Sequence, residues 1–139
     1  MKLFYISVVL IYFMSACTAP KVNSNKIDIN IHNLAYSSLN IEAMNFEYNE
    51  SKDFLLGIFQ DDNVASPRVL KYVVIDIKNE SVIYKESIPN GKVKWIADYK
   101  IQIVNPPRIV KNPSELSDEY TSILNVKTAE KVKKGATLK

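Results

Sequence analysis

The stretch that decides the fold is Val69-Leu-Lys-Tyr-Val-Val-Ile-Asp-Ile77, followed by Lys78-Asn-Glu-Ser81, Val82-Ile-Tyr-Lys-Glu-Ser-Ile-Pro89, Asn90-Gly91, Lys92-Val-Lys-Trp-Ile96, Ala97-Asp98 and Tyr99-Lys-Ile-Gln-Ile-Val104. Four runs rich in β-branched and aromatic residues are separated by short polar turn segments, the signature of antiparallel strands. The first run is apolar on both faces apart from Lys71 and Asp76, as befits a central strand covered on two sides. Asn90-Gly91 is the favoured pair for a type I′ hairpin turn, and Ala97-Asp98 separates the last two runs. The expectation is a four-strand meander ending at Pro106-Pro107, since proline cannot donate to a ladder.

Outward from this block the period remains mostly two. Ile27, Ile29 and Ile31 alternate with polar residues, as do Leu39, Ile41 and Ala43, and a shift of phase to Met44, Phe46 and Tyr48 predicts a β-bulge near Ala43. Phe54–Phe59 is a short apolar run, and Gln60–Pro67 is loop-like. Asn112-Pro113-Ser114-Glu115 has the cap and first-turn residues of one or two helical turns running to about Glu119. Tyr120–Lys127 returns to strand character. The expected core is Ile29, Ile31, Ile41, Phe46, Leu56, Ile58, Val73, Ile75, Ile77, Ile83, Trp95, Ile101, Ile103, Ile123 and Val126. The fold class is therefore mostly β: a small antiparallel meander or sandwich-like domain over residues 27–127, with at most a short helix and a basic C-terminal tail over 128–139.

Asn125-Val126-Lys127-Thr128-Ala129-Glu130-Lys131-Val132 echoes Asp76-Ile77-Lys78-Asn79-Glu80-Ser81-Val82, each a strand, a polar turn and a strand. The pattern resembles the hairpins of β-propeller blades. One blade takes about 40–50 residues, so the residues after the tether do not close a propeller of even four blades.

Composition narrows the chemistry. Among 139 residues, 18 Lys and Arg against 15 Asp and Glu leave a net charge of +3, too small and dispersed for a nucleic-acid-binding field. One cysteine rules out an internal disulfide or a Cys-rich zinc site, and the lone His32 rules out a site needing two imidazoles. No metal or other cofactor is predicted.

The N-terminus carries the clearest motif. Met1-Lys2 precedes Leu3–Ala16, an uncharged and largely apolar stretch of about fourteen residues. As a helix it would measure roughly 21 Å against a hydrocarbon core of roughly 30 Å, which is short for a span and suited to a secretory signal peptide. Met14-Ser15-Ala16-Cys17 resembles the lipobox of bacterial lipoprotein precursors, with Met14 where that family more often has leucine. The resemblance covers residues 1–17. It implies cleavage between Ala16 and Cys17, acylation of Cys17, and anchoring through membrane lipid in the cell envelope. Thr18, where some family members carry the Asp of inner-membrane retention, points to the outer membrane. Residues 17–26 then form the lipidated cysteine and a polar tether. Ordinary signal-peptide cleavage near Ala19 and an uncleaved anchor are the alternatives; Pro20 opposes the first and length the second.

No nucleophile-base motif and no glycine-rich phosphate loop occurs. His32 beside Asp28 is either a base oriented by a carboxylate or a surface residue at a strand end. Asp61-Asp62-Asn63 lacks the further carboxylate and glycine of a calcium loop, and Glu115, Asp118 and Glu119 fit a solvated helix face. Tyr72, Tyr84 and Tyr99 fall on consecutive meander strands and form the predicted interaction surface, suited to an envelope protein partner. The leading expectation is a non-enzymatic binding or assembly module; the rivals are a small envelope hydrolase using paired carboxylates among Asp61, Asp62, Glu115 and Asp118, and an inhibitor or immunity-type lipoprotein.

Overall fold

A computed structural model describes residues 24–61, 68–107 and 118–134. One helix, α1 (Ser24–Leu39), precedes eight strands: β1 (Asn45–Tyr48), β2 (Phe54–Gln60), β3 (Val69–Asp76), β4 (Ser81–Pro89), β5 (Lys92–Ala97), β6 (Lys100–Val104), β7 (Thr121–Asn125) and β8 (Glu130–Lys133). They form two four-stranded antiparallel sheets, ordered β1-β2-β3-β4 and β5-β6-β7-β8. Each is an up-and-down meander, the unit from which a propeller blade is made.

The alternation of β2 and β3 explains the layering. Phe54, Leu56, Leu70, Tyr72 and Val74 face the second sheet, where Val93, Ile101, Ile103, Leu124 and Val126 meet them in one buried cluster. Leu55, Val73 and Ile75 project from the other face and are covered by Ile31 and Ala35 of α1. Sheet one is thus covered on both faces, as the run from Val69 predicts. The sheets also meet at both ends: Trp95 Nε1 of β5 donates to the Glu47 carbonyl of β1 at 3.2 Å, and Lys131 of β8 reaches Glu86 of β4 at 2.7 Å. First strand lies by first strand and last by last.

The echo between Asp76 and Asn125 marks equivalent hairpins. Asp76 Oδ1 accepts from Asn79 N at 2.9 Å, and Asn125 Oδ1 accepts from Lys127 N at 3.0 Å, so a side-chain oxygen at the strand end fixes each turn. Glu80 and Ala129 then take left-handed φ values of 46° and 55° to bring the chain back. The strands read over Val69–Val104 are all present. The last hairpin extends the sheet past Lys127 to Lys133, inside the stretch read as a tail.

Four expectations are corrected. Asn90-Gly91 does not close a hairpin: β4 pairs only with β3, and the chain crosses there to the second sheet. Asn90 has φ 51°, but Gly91 lacks the positive φ that a type I′ turn also requires, and Asn90 N bonds to the Arg68 carbonyl. A Cβ on Gly91 would lie 2.7 Å from Ile88 Cδ1, so the glycine lets the crossing chain pass close to buried Ile88. Crossing places Ile88 and Val93 in the shared core, whereas continued edge pairing would leave a flat six- or eight-stranded sheet with one face uncovered.

The second correction is the segment of Ile29 and Ile31, which is helical. Ile31, Leu34, Ala35 and Leu39 have helical spacing and meet sheet one, while Ile29 is 60% exposed. Asn40, at φ 53°, ends the helix, and Ile41 N bonds back to the Tyr36 carbonyl at 3.1 Å. Third, the phase slip near Ala43 is no bulge but the passage from helix to β1; the bulges fall at Val74/Ile75 and Trp95/Ala97. Fourth, Ile41 and Ile123 are half-buried and join neither core cluster, whereas Leu55, Leu70, Tyr72, Val74, Ile88 and Leu124 do much of the filling. Of the predicted helix, residues 112–117 lie outside the described residues, and Asp118–Tyr120 is a single 3-10 turn.

Candidate functional site

The three tyrosines of the predicted interaction surface turn inward between the sheets. Tyr72 is fully buried, and its ring lies against Tyr84 with centroids 6.0 Å apart. Tyr72 Oη donates to Glu86 Oε2 at 2.8 Å, and Lys131 Nζ donates to the same oxygen at 2.7 Å and to Oε1 at 2.9 Å. Burial, then the hydrogen bond to Glu86 and its charge, push the Tyr72 phenol well above the ordinary range. Burial also pushes Glu86 upward, but Lys131 and the Tyr72 and Tyr84 hydroxyls outweigh it and hold the carboxyl below its usual value. This carboxylate is an anion in the working range and an acceptor only.

Tyr99 belongs to a separate group, built where the β1–β2 turn meets the β5–β6 turn. Asn49, 4% exposed, donates through Nδ2 to the Asp98 carbonyl and to Asp98 Oδ1, both at 2.9 Å, and its Oδ1 accepts from Phe54 N at 2.9 Å. Ser51 donates to Asp98 from both its amide and its hydroxyl. Tyr99 Oη donates to Asp53 Oδ2 at 3.0 Å, its ring meets Phe54 edge-on, and Lys127 Nζ sits 3.5 Å above its centroid. Hydrogen bonds from Ser51 lead the causes that hold Asp98 below the usual carboxylate range. Glu86 and Asp98 therefore both move away from general-acid behaviour at neutral pH.

A third group joins α1 to β1. Asp28 and His32 are one helical turn apart, Tyr48 Oη donates to Asp28 Oδ1 at 3.0 Å, and His32 Nε2 lies 3.4 Å from the same hydroxyl. The imidazole is stacked on Phe46 at 4.0 Å with an interplanar angle of 4°. Burial, then the bond to Asp28, raise the Tyr48 phenol. Asp28 and His32, read at a strand end, stand one turn apart on α1 and meet through the Tyr48 hydroxyl; that hydroxyl and the Phe46 ring beneath were not marked for this role in the sequence.

The remaining candidates are dispersed. Asp118 pairs with Lys134 at 2.7 Å on an exposed edge, and Asp61 is half-buried at the end of β2. Ala16, Cys17, Asp62, Asn63 and Glu115 lie outside the described residues. Among the described residues no cluster of His, Cys, Asp and Glu is arranged to hold a metal ion, and no helix is long and apolar enough to cross a membrane. Sequence reasoning missed Asn49, Ser51, Asp98, Glu86 and Lys131; Asn49-Glu50-Ser51-Lys52 and Ala97-Asp98 did carry turn composition, the available signal for the second group.

No family model matches the chain, and no curated protein matches it in sequence. Among solved structures, Pyrococcus horikoshii acylaminoacyl peptidase is similar over 67% of this chain and 18% of that one, with 22% identity and a TM-score of 0.43.

The Glu86 group makes a pH-dependent contribution with a definite sign. A carboxyl whose folded pKa is depressed stabilises the fold above its unfolded value, ordinarily 4.5, and that contribution is lost as pH falls through the folded value. Glu86→Gln is expected to lose about 1 kcal/mol at pH 7 and to show a shallower loss of stability than wild type between about pH 5 and 3. Urea unfolding followed across that range checks it; parallel acid limbs for the two proteins would contradict the assignment.

Proposed function

We propose that the protein is a lipid-anchored component of the bacterial cell envelope whose β domain binds or assembles with a partner and catalyses no reaction. The observation that carries the location is the uncharged Leu3–Ala16 stretch ending at Cys17. Its small residues suit the peptidase site, and two or more acyl chains at about 0.8 kcal/mol per buried methylene give stable anchoring. What supports a binding role is the employment of the polar clusters. Glu86 and Asp98, the carboxyls most enclosed by donors, hold sheet to sheet as anions and are not poised to exchange protons. The double sheet leaves its loops for recognition.

Cys17→Ala tests the anchor. Wild type is expected to incorporate labelled palmitate, lose residues 1–16 and sediment with the membrane fraction; the variant is expected to remain a full-length, unlabelled precursor. Normal maturation of the variant would refute the anchor. A stoichiometric envelope protein cross-linked to the lipidated chain in intact cells would support the binding role, and hydrolysis of an envelope polymer by the purified chain would overturn it.

A further inference from the structure

We infer that the cleft beside the start of β5 is a binding site for a single-chain anionic amphiphile. The cleft, about 490 Å³, is walled by Ile58, Leu70, Val93 and Val104, with Lys92 and Lys94 beside them. Leu70 and Val93, 5% and 8% exposed, bring this end of the inter-sheet core to the wall of the cleft. Lys92 and Lys94 are exposed, and among the described residues neither carries an ion pair.

Apolar walls and unpaired cations in one cleft ask for a ligand with both characters. An acyl chain gains by leaving water for the aliphatic walls, and an anionic head gains charge-assisted hydrogen bonds from two ammonium groups. Gln60 and Gln102 also line the cleft and offer amides to the head group. The volume falls in the lower part of the roughly 300–1,000 Å³ range of small-molecule sites, which suits one short chain better than a two-chain phospholipid.

Two other clefts among the described residues lack the combination. In the one of about 310 Å³ at the end of α1, Lys85 is committed to the Ser38 carbonyl and Glu86 to Lys131. That of about 380 Å³ by Tyr120 sets Glu119 among Lys131 and Lys133, with no aliphatic wall.

The inference deepens the binding-module reading by naming a ligand class, and it does not depend on acylation of Cys17. The full chain in lipid nanodiscs is photolabelled with a diazirine-bearing dodecanoate, and labelled peptides are mapped by mass spectrometry. Expected are saturable labels in the peptides of Ile58–Gln60, Ile88–Lys94 and Ile101–Val104, displaced by unlabelled dodecanoate. Dodecyl phosphate as competitor distinguishes a phosphate head from a carboxylate. The double variant Lys92→Glu, Lys94→Glu is expected to weaken this labelling about tenfold while leaving labelling by diazirine-bearing dodecanol unchanged. Gln102→Trp, which fills the cleft without changing charge, is expected to block both probes. Labelling that does not saturate, that is indifferent to the two charge reversals, or that favours the alcohol in wild type overturns the proposal. The acyl content of the N-terminal peptide, read in the same digest, reports on the anchor separately.

Discussion

Ile31→Ala is expected to lower the free energy of unfolding by about 2–4 kcal/mol, and Ile29→Ala to change it by less than about 0.5 kcal/mol. Ile31 is 1% exposed, packed with Ala35 against Leu55, Val73 and Ile75 on the outer face of sheet one, so truncation leaves a cavity between two rigid layers. Ile29 is 60% exposed. The same chemical change is made in the same helix at both positions, so the small gain in helix propensity from Ile to Ala cancels in the comparison and the difference reports packing alone. On a strand, residues two apart share a face and the two costs would be similar; on a helix the two side chains point about 160° apart and the costs differ. Urea denaturation of the two variants decides it, and equal costs would return the segment to a strand.

That pair also shows why part of the fold was hidden. The alternation Ile27-Asp28-Ile29-Asn30-Ile31 fits a period of two over five residues, and the helical spacing Ile31, Leu34, Ala35, Leu39 becomes decisive only when a sheet face is available to cover. Strand existence in Val69–Val104 was legible because β-branched runs and polar turns repeat there several times. Strand partnership was not. Asn90-Gly91 has the composition of a hairpin turn, and its use as a crossing depends on Ile88 and Val93 being worth more in the core between two sheets than along one extended sheet. Turn composition encodes local geometry, while the choice of sheet is made by burial many residues away.

The candidate site divides in the same manner. Tyr72 and Tyr84 were legible as aromatic residues on meander strands, whereas Tyr99, read on a third, lies in the β5–β6 turn; which face each ring occupies follows from the packing of one sheet on the other. Asp28 and His32 were legible as neighbours, and Tyr48 completes their cluster only because α1 ends beside β1. Glu86 and Lys131, separated by most of the second sheet in sequence, meet because β4 and β8 lie at the same end of the stacked meanders. A contact of that kind has no local signal.

Asn49→Ala is expected to cost about 2–4 kcal/mol, as much as a large core truncation. The side chain is buried and serves three partners: it donates to the carbonyl and to a carboxylate oxygen of Asp98 and accepts from the amide of Phe54. Alanine removes all three bonds and leaves the Phe54 N–H enclosed without an acceptor, and an unmade buried bond costs about 1–3 kcal/mol by itself. The loss also weakens the tie between the β1–β2 turn and the β5–β6 turn, leaving it to the bonds from Ser51 to Asp98 and from Tyr99 to Asp53. Asn49→Asp keeps the acceptor for Phe54 but sets a second carboxylate against Asp98, whose own carboxyl is held ionised by Ser51, so at neutral pH it is expected to be no better than alanine and to recover stability on acidification. Because Asn49 and Asp98 share their bonds, the costs of Asn49→Ala and Asp98→Ala are expected to be less than additive in the double variant. Chemical denaturation of the four proteins measures the coupling. A cost below about 0.5 kcal/mol for Asn49→Ala, or strict additivity, would mean that the Asn49–Asp98 pair adds little to the hold of one sheet on the other.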